Sequence, residues 1–381
     1  MTKVMTSIAC VQLHERGIID LDDPDVIEKY APELAKQPIL KGYTSDGPEG
    51  KPIYEKRTRP MTLKHLLSHS AGIGYGALIP LLGRWERENN LPSWNAKHAV
   101  VEAYCVPLLD EPGTTFMYGY GIDWAGIIVW RVTGQTLEEY FSENIWKPCG
   151  VESITFYPRD DVRNRLMQLC GRDQDGKLIH IDGFRPVPRL RPEDIGVLSG
   201  GGHTIGPLKE YLVFLQHLLQ CKDREGGILS PAGFKLLFTN ALPPRDEKPE
   251  VYAALGAFLG SFGHKDPGMI SGDTVSHSVG LCLIEADSDF SRKAGTGWWG
   301  GAAKTEYWID PEKGIIVSLD LGFCLTHRRA SSGRTFWTSR TPCGLRSISS
   351  IRRSCTPLSS RTHCPCHYEG TMSVEEVIKG M

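Results

Sequence analysis

The sequence predicts an α/β protein, with helices early in the chain and antiparallel strands gathered towards its end. Three stretches carry that prediction. From Val4 to Ile18 the apolar residues Val4, Ile8, Val11, Leu13 and Ile18 are mixed with polar Thr6, Gln12, Glu15 and Arg16 at helical rather than alternating spacing. Ile122 to Thr133 reads as an apolar helix behind the Pro112-Gly113 turn. Glu306 to Asp310 and Ile315 to Leu321 read as neighbouring antiparallel strands, joined across a turn from Pro311 to Gly314.

The elements follow in order. Gly17 and the acidic run Asp20 to Asp23 close the first helix. Its start at residue one has no capping Ser, Thr, Asp or Asn, so the chain is expected to be cut where that residue belongs. Pro24 to Pro60 is rich in Pro, Lys and Gly and reads as surface connection. Thr62 caps a short helix that Gly72 ends. Within it His69 reads as a packed or hydrogen-bonded residue beside a turn, because no Gly-x-Ser-x-Gly elbow or acid partner accompanies it. Ile79 to Leu109 suggests an irregular helical lobe. Gly134 to Gly150 has a helical period, with Leu137, Tyr140, Phe141 and Ile145 on one face.

Ser199-Gly200-Gly201-Gly202-His203 precedes a helix from Pro207 to Leu219. No Gly-Lys-Ser/Thr accompanies the glycines and no strand immediately precedes them, so phosphate binding is set aside in favour of tight backbone packing. Tyr252 to Phe262 and Gly280 to Glu285 read as strands, and Gly297 to Ala302 leads into the final hairpin.

Length and composition bound the function. With 381 residues the chain can bury a large core as one domain or two interleaved lobes. A net charge of −2 gives no electrostatic case for nucleic acid or an anionic membrane. No apolar run approaches membrane-spanning length, and no leader pattern opens the chain. Of eleven cysteines, six (Cys10, Cys105, Cys149, Cys170, Cys221 and Cys282) are scattered singly in mostly apolar contexts. They read as buried thiols in a reducing compartment, which places the protein in the cytoplasm.

Motifs in three places carry a resemblance. Met1-Thr2-Lys3 and the long helix behind it, followed by Glu15 to Pro24, resemble the Ser-x-x-Lys segment of the serine β-lactamase and penicillin-binding-protein superfamily. Glu111 to Asp123 resembles its Pro-Gly-x-x-x-x-Tyr-x-Asn loop, with Tyr118 in the Tyr position and Tyr120 where many relatives carry Asn. Trp299-Gly300-Gly301 resembles the third motif, which is Lys-Thr-Gly in β-lactamases and Trp-x-Gly in esterases and acyltransferases. The chain is most similar to the class C-type esterases and the fungal lovastatin-type acyltransferases. The resemblance implies an antiparallel sheet flanked by helices, plus a helical lobe, within a catalytic domain over residues 1–322. Two N-terminal strands and a C-terminal strand and helix of the family pattern are expected to be missing.

The resemblance also implies a mechanism. The nucleophilic serine of the family stands three residues before the lysine, which here is one place ahead of Met1, and no other Lys has a Ser three residues before it. If restored, that serine would begin a helix, where backbone N–H groups and the helix dipole favour an anion. Lys3, one turn on, would take the serine proton while neutral. Tyr118 would relay it to the leaving group and then activate water or an alcohol. The backbone N–H of Ala302 would complete the oxyanion hole, each such donor contributing about 3–4 kcal/mol. Lys3, Tyr118, Trp299, Gly300, Gly301 and Ala302 are therefore the expected site residues, with no cofactor and no metal.

Trp299 bears on substrate. A Lys there would bind a carboxylate, whereas an indole cannot. A rim of Trp298, Trp299, Tyr307 and Trp308 favours a neutral acyl ester or thioester as donor, an acyl-carrier protein among its carriers, and an aromatic or polyketide-like alcohol as acceptor. Trp308, within a strand, reads as filling for the sheet–helix interface. The implied activity is that of an esterase or acyltransferase in secondary metabolism. The alternative is a β-lactamase-like protein that binds but cannot acylate, since the serine is absent from the sequence.

The remainder, residues 323–381, does not fit. Between Thr326 and Tyr368 there are eight Arg, no Lys and no acidic residue, and neither strand nor helix period is visible. An irregular, mistranslated tail is expected. Cys355, His363, Cys364, Cys366 and His367 lack the paired Cys-x-x-Cys spacing of zinc modules. An RNA-binding tail would need aromatics interleaved along its Arg residues, a pattern that the lone Phe336-Trp337 pair does not make.

Overall fold

The computed structural model describes residues 1–92, 100–167, 170–172, 178–180, 195–261, 271–287, 292–301 and 303–320. The expectations for the tail and for Ala302 lie outside the described residues. The first helix, α1, spans Thr2–Glu15 with Met1 at its N-cap and no side-chain hydrogen bond there. Every residue from Thr2 to Leu13 is buried. A helix enclosed all round must pair most of its polar groups. Thr6 Oγ1 accordingly donates to the Gly200 carbonyl at 2.7 Å, and Gln12 Nε2 to the Ile228 carbonyl at 2.7 Å. The mixed spacing therefore belongs to a central helix whose polar groups are largely paired by its neighbours, Ser7 Oγ and Gln12 Oε1 being left without a partner among the described residues.

The stretch expected to be surface connection is more ordered than its composition suggests. It holds α2 (Asp25–Tyr30), α3 (Pro32–Ala35) and a hairpin of β1 (Ile39–Tyr43) with β2 (Pro52–Glu55). Pro24 caps one helix and Pro32 opens the next, positions where a missing N–H costs nothing. The predicted short helix is α4 (Leu63–Leu67), in which Thr62 accepts from the His65 N–H while the His65 ring accepts from the Thr62 N–H. The predicted lobe begins with α5 (Pro80–Glu88).

Next comes α6 (Gly121–Thr133), stopped by Gly134 at φ 73° in the left-handed region. Then α7 (Leu137–Phe141) opens on a Thr136/Glu139 capping box and runs through a wide turn over Ser142–Trp146. The short α8 (Asp160–Arg163) precedes the paired strands β3 (Cys170–Arg172) and β4 (Leu178–His180). Three helices follow: α9 (Leu208–Gln220), α10 (Pro231–Leu237) and α11 (Pro249–Ser261). The last of these corrects the strand expected over Tyr252 to Phe262. Its buried residues Val251, Tyr252, Leu255 and Leu259 recur at helical spacing, and Pro249 supplies a helix start.

Strands β5 (Val275–His277), β6 (Cys282–Ile284), β7 (Gly297–Gly300), β8 (Thr305–Asp310) and β9 (Ile315–Asp320) form one antiparallel sheet in that order. The expected hairpin of 306–310 with 315–321 is β8–β9. Helix α9 packs against β9 and α11 against β5, while α6 and α10 pack against α1. Because side chains alternate across a sheet, β7 sends Trp299 to one face beside Tyr307 and Trp298 to the other beside Trp308. Among the described residues, Cys10, Cys149, Cys221 and Cys282 are buried free thiols, and Cys105 and Cys170 are partly exposed ones. No helix among the described residues is long and apolar enough to cross a membrane.

Candidate active site

Lys3 sits in the first turn of α1 and is 7 % exposed. A buried ammonium needs acceptors close by. Its Nζ donates to the Gly201 carbonyl at 2.7 Å and to the Tyr75 hydroxyl at 3.4 Å. It also lies 4.9 Å from the centre of the Tyr118 ring, within reach of a cation–π attraction. Two expected site residues, Lys3 and Tyr118, are thus brought together across more than a hundred residues of sequence.

The glycine run before α9 makes the approach feasible. A Cβ at Gly201 would stand 2.8 Å from Asp123 Oδ2 and 3.0 Å from Lys3 Nζ, so any side chain there would occupy the space the lysine uses. The expectation of tight backbone packing holds at this point.

Trp299 joins the same cluster. Its ring centre is 5.7 Å from that of Tyr118, 6.0 Å from His69 and 6.2 Å from Phe258. His69 and His277 lie behind it with ring centres 5.4 Å apart. Burial holds both imidazoles neutral, with the His277 pKa brought down to about 4 and that of His69 well below its usual value. The His277 Nδ1–H donates to the Ser278 carbonyl at 2.6 Å, since a carbonyl can only accept. His69 is packed, as expected, and lies in the wall of the site, with its backbone at φ 57°.

The rim expectation is corrected for three of its four aromatics. Trp298 is buried on the far face beneath the Arg292 guanidinium, 4.7 Å from its ring centre. Trp308 shares that cation on the same face, which agrees with its reading as interface filling. Tyr307 is on the Trp299 face but is buried against Tyr211, with ring centres 5.5 Å apart. Strand alternation and the position of α9 separate them from Trp299.

Gly300 ends β7 opposite Glu306. The Gly301 N–H donates to the Thr305 carbonyl at 2.7 Å, closing the turn into β8. Tyr120 is buried and donates its hydroxyl to Glu86 Oε1 at 2.9 Å, linking α6 to α5.

Several residues at the site carry no motif. Asp123 in α6 is 1 % exposed and receives Tyr75 Oη–H at 3.1 Å, the Gly201 N–H at 3.1 Å and the Ser199 hydroxyl. A lone acid in the apolar run Gly121 to Val129 is the one sequence signal that pointed to it. Tyr75, Phe258 and His277 gave none. An open cleft of about 570 Å³, lined by residues including His14, Asp20, Asp23 and Lys29, lies at the other end of α1. That is about 16 Å along the helix from Lys3, and the cleft contains no expected site residue.

The Beta-lactamase family model matches residues 1–326. A lovastatin esterase of Penicillium rubens is 34% identical, over 82% of this chain and 76% of its own length. A monacolin J acid methylbutanoyltransferase of Aspergillus terreus is 31% identical, over 83% of this chain and 74% of its own. Among solved structures, a variant of the simvastatin synthase of Aspergillus terreus superposes with a TM-score of 0.70 at 29% identity, covering 84% of this chain and 75% of that one.

Proposed function

The chain belongs to the Beta-lactamase family, and on that premise we propose that it is a serine esterase or acyltransferase of secondary metabolism. It forms an acyl-enzyme and passes the acyl group to water or to a small-molecule alcohol. The observation that carries this reading is the placement of Lys3 Nζ over the Tyr118 ring at 4.9 Å. A general base and a hydroxyl relay must share one reaction centre, and the approach of these two residues supports that pairing.

In this reading the serine stands one helical turn ahead of Lys3. Neutral Lys3 takes its proton as Oγ attacks the acyl carbonyl. Tyr118 passes a proton to the departing alcohol or thiol as the C–O or C–S bond breaks, leaving the acyl ester on the enzyme. The acceptor hydroxyl then gives its proton back through Tyr118, attacks the same carbonyl and releases the serine. The Ala302 amide is the donor proposed for the oxyanion. Trp299, packed with Phe258 and His69, supplies an apolar wall suited to a neutral acyl group. A thioester on an acyl-carrier protein is one form of that donor. Residues 1–322 are proposed as the catalytic domain, and the six scattered thiols support a reducing, cytoplasmic setting.

The second reading is a β-lactamase-like protein that binds such esters without acylation. Hydrolysis of a p-nitrophenyl ester decides between them. Turnover that Tyr118→Phe abolishes supports the enzyme; saturable binding of the ester with no turnover supports the binding protein.

A further inference from the structure

Three segments distant in sequence converge behind Lys3. Tyr75 comes from the loop after α4, Asp123 from the first turn of α6, and Ser199 to Gly201 from the glycine run before α9. The Tyr75 hydroxyl stands between Lys3 Nζ at 3.4 Å and Asp123 Oδ2 at 3.1 Å. A hydroxyl has a single proton. The carboxylate can only accept, so the Tyr75 proton points to Asp123 and the Tyr75 oxygen is left to accept from Lys3. Burial, and the Asp123 charge after it, raise the Tyr75 pKa well above its usual value, so the hydroxyl keeps that proton.

Asp123 is fixed in turn. Its Oδ1 takes the Ser199 hydroxyl and the Gly201 N–H at 3.1 Å, and the carbonyl of that same Gly201 is the second acceptor of Lys3. The carboxylate therefore anchors both groups that hold the lysine, one through a phenol and one through the backbone of Gly201, whose N–H and carbonyl lie in successive peptide units.

We propose that Asp123 and Tyr75 are positioning residues that hold Lys3 over Tyr118, with the Asp123 charge reaching Lys3 through the polarised Tyr75 hydroxyl. This rests on the reading of Lys3 as the proton acceptor. A carboxylate that merely stapled α6 to the glycine run would need Ser199 and the Gly201 N–H but not Tyr75. The phenol bridging to the lysine is what distinguishes the two roles.

The test reads Lys3 directly and needs no turnover. The full chain, with Tyr75→Phe, Asp123→Asn and the double variant, is treated with cyanate at pH 8. Carbamylation of Lys3 is measured by peptide mass spectrometry against exposed Lys51 as internal standard. Losing the acceptor or the charge frees the amine, so each single variant is expected to label Lys3 about fivefold faster or more. The double variant should match the larger single effect, because both act along one path. Unchanged Lys3 labelling in a Tyr75→Phe protein that melts cooperatively, nil labelling included, overturns the proposal. So do additive effects. Tyr75→Phe keeps the ring and stands in for Asp123→Asn should that variant fail to fold. Ester hydrolysis by Lys3→Met separates the premise from the inference. Retained hydrolysis sinks the catalytic reading of Lys3, whereas its loss together with unchanged labelling sinks only the role of Tyr75 and Asp123.

Discussion

Lys3 Nζ lies 4.9 Å from the centre of the Tyr118 ring while donating to the Gly201 carbonyl at 2.7 Å. That pair of contacts defines a slot for a compact amino group on a flexible stem. A guanidinium is planar, wider and never neutral at working pH, so it can neither fit the slot nor accept a proton. Lys3→Arg is expected to lower kcat for ester hydrolysis about 10²–10⁴-fold with little change in KM. Steady-state kinetics on a p-nitrophenyl ester measure both.

Gly201→Ala tests the close packing behind the lysine. The new methyl would meet Asp123 oxygens at 2.8 and 2.9 Å and Lys3 Nζ at 3.0 Å. Overpacking of this kind costs about 1–3 kcal/mol, and here it also displaces the lysine tip. A lowered Tm together with a fall in kcat is the expected result. A lowered Tm with full activity would mean that the position of Lys3 is not critical.

Trp299 and Trp308 are predicted to behave differently although both lie in neighbouring strands. Trp299→Ala removes the wall shared with Tyr118, Phe258 and His69, and is expected to cost about 3–5 kcal/mol of stability. It should also lower kcat/KM for apolar acyl esters about 10–200-fold. Trp308 faces Arg292 on the far side of the sheet, so Trp308→Ala should leave kcat/KM within about twofold while lowering Tm. Chemical denaturation and hydrolysis of a graded series of acyl chains check both.

The buried histidines set an acid limit. The His277 pKa falls from 6.5 unfolded to about 4 folded, because burial disfavours the imidazolium. Between those values the unfolded chain binds a proton that the folded chain does not. Stability from this group is therefore complete above about pH 6.5 and is lost as pH falls towards 4, amounting to about 3 kcal/mol at the bottom of the window. His65, brought to about 4 by burial and by Arg59 and Lys64, acts in the same direction. His277→Asn keeps a donor for the Ser278 carbonyl but cannot titrate. Its Tm should fall less than that of the parent between pH 7 and pH 5.

Much of this molecule was legible in its sequence. The apolar spacing after Lys3, the Thr62 cap and the final hairpin are local signals, and each produced the element expected of it. Placing Lys3 near Tyr118 and Trp299 needed the resemblance, since nothing local relates them. What failed failed for physical reasons. The stretch from Tyr252 is apolar enough to read as a strand, but Pro249 and a face of Val251, Tyr252, Leu255 and Leu259 make it a helix. The Pro, Lys and Gly content from Pro24 to Pro60 reads as surface connection, yet Pro24 and Pro32 open helices there. Tyr75 and His277 were invisible because their partners come from remote loops, and a lone Tyr or His has no periodicity to betray it. The four-aromatic rim failed because Trp298 and Trp308 face the other side of the sheet and Tyr307 is buried against Tyr211.

The most direct test of the proposed function is to trap the acyl-enzyme. The chain carrying a serine three residues before Lys3 is mixed with a short-chain p-nitrophenyl ester, quenched in acid within seconds and analysed by intact and peptide mass spectrometry. The proposal predicts a mass gain of one acyl group, carried on the serine proposed three residues before Lys3, and its loss in Lys3→Met. Reversible binding of the ester with no covalent gain, or an adduct that persists unchanged in Lys3→Met, would contradict it.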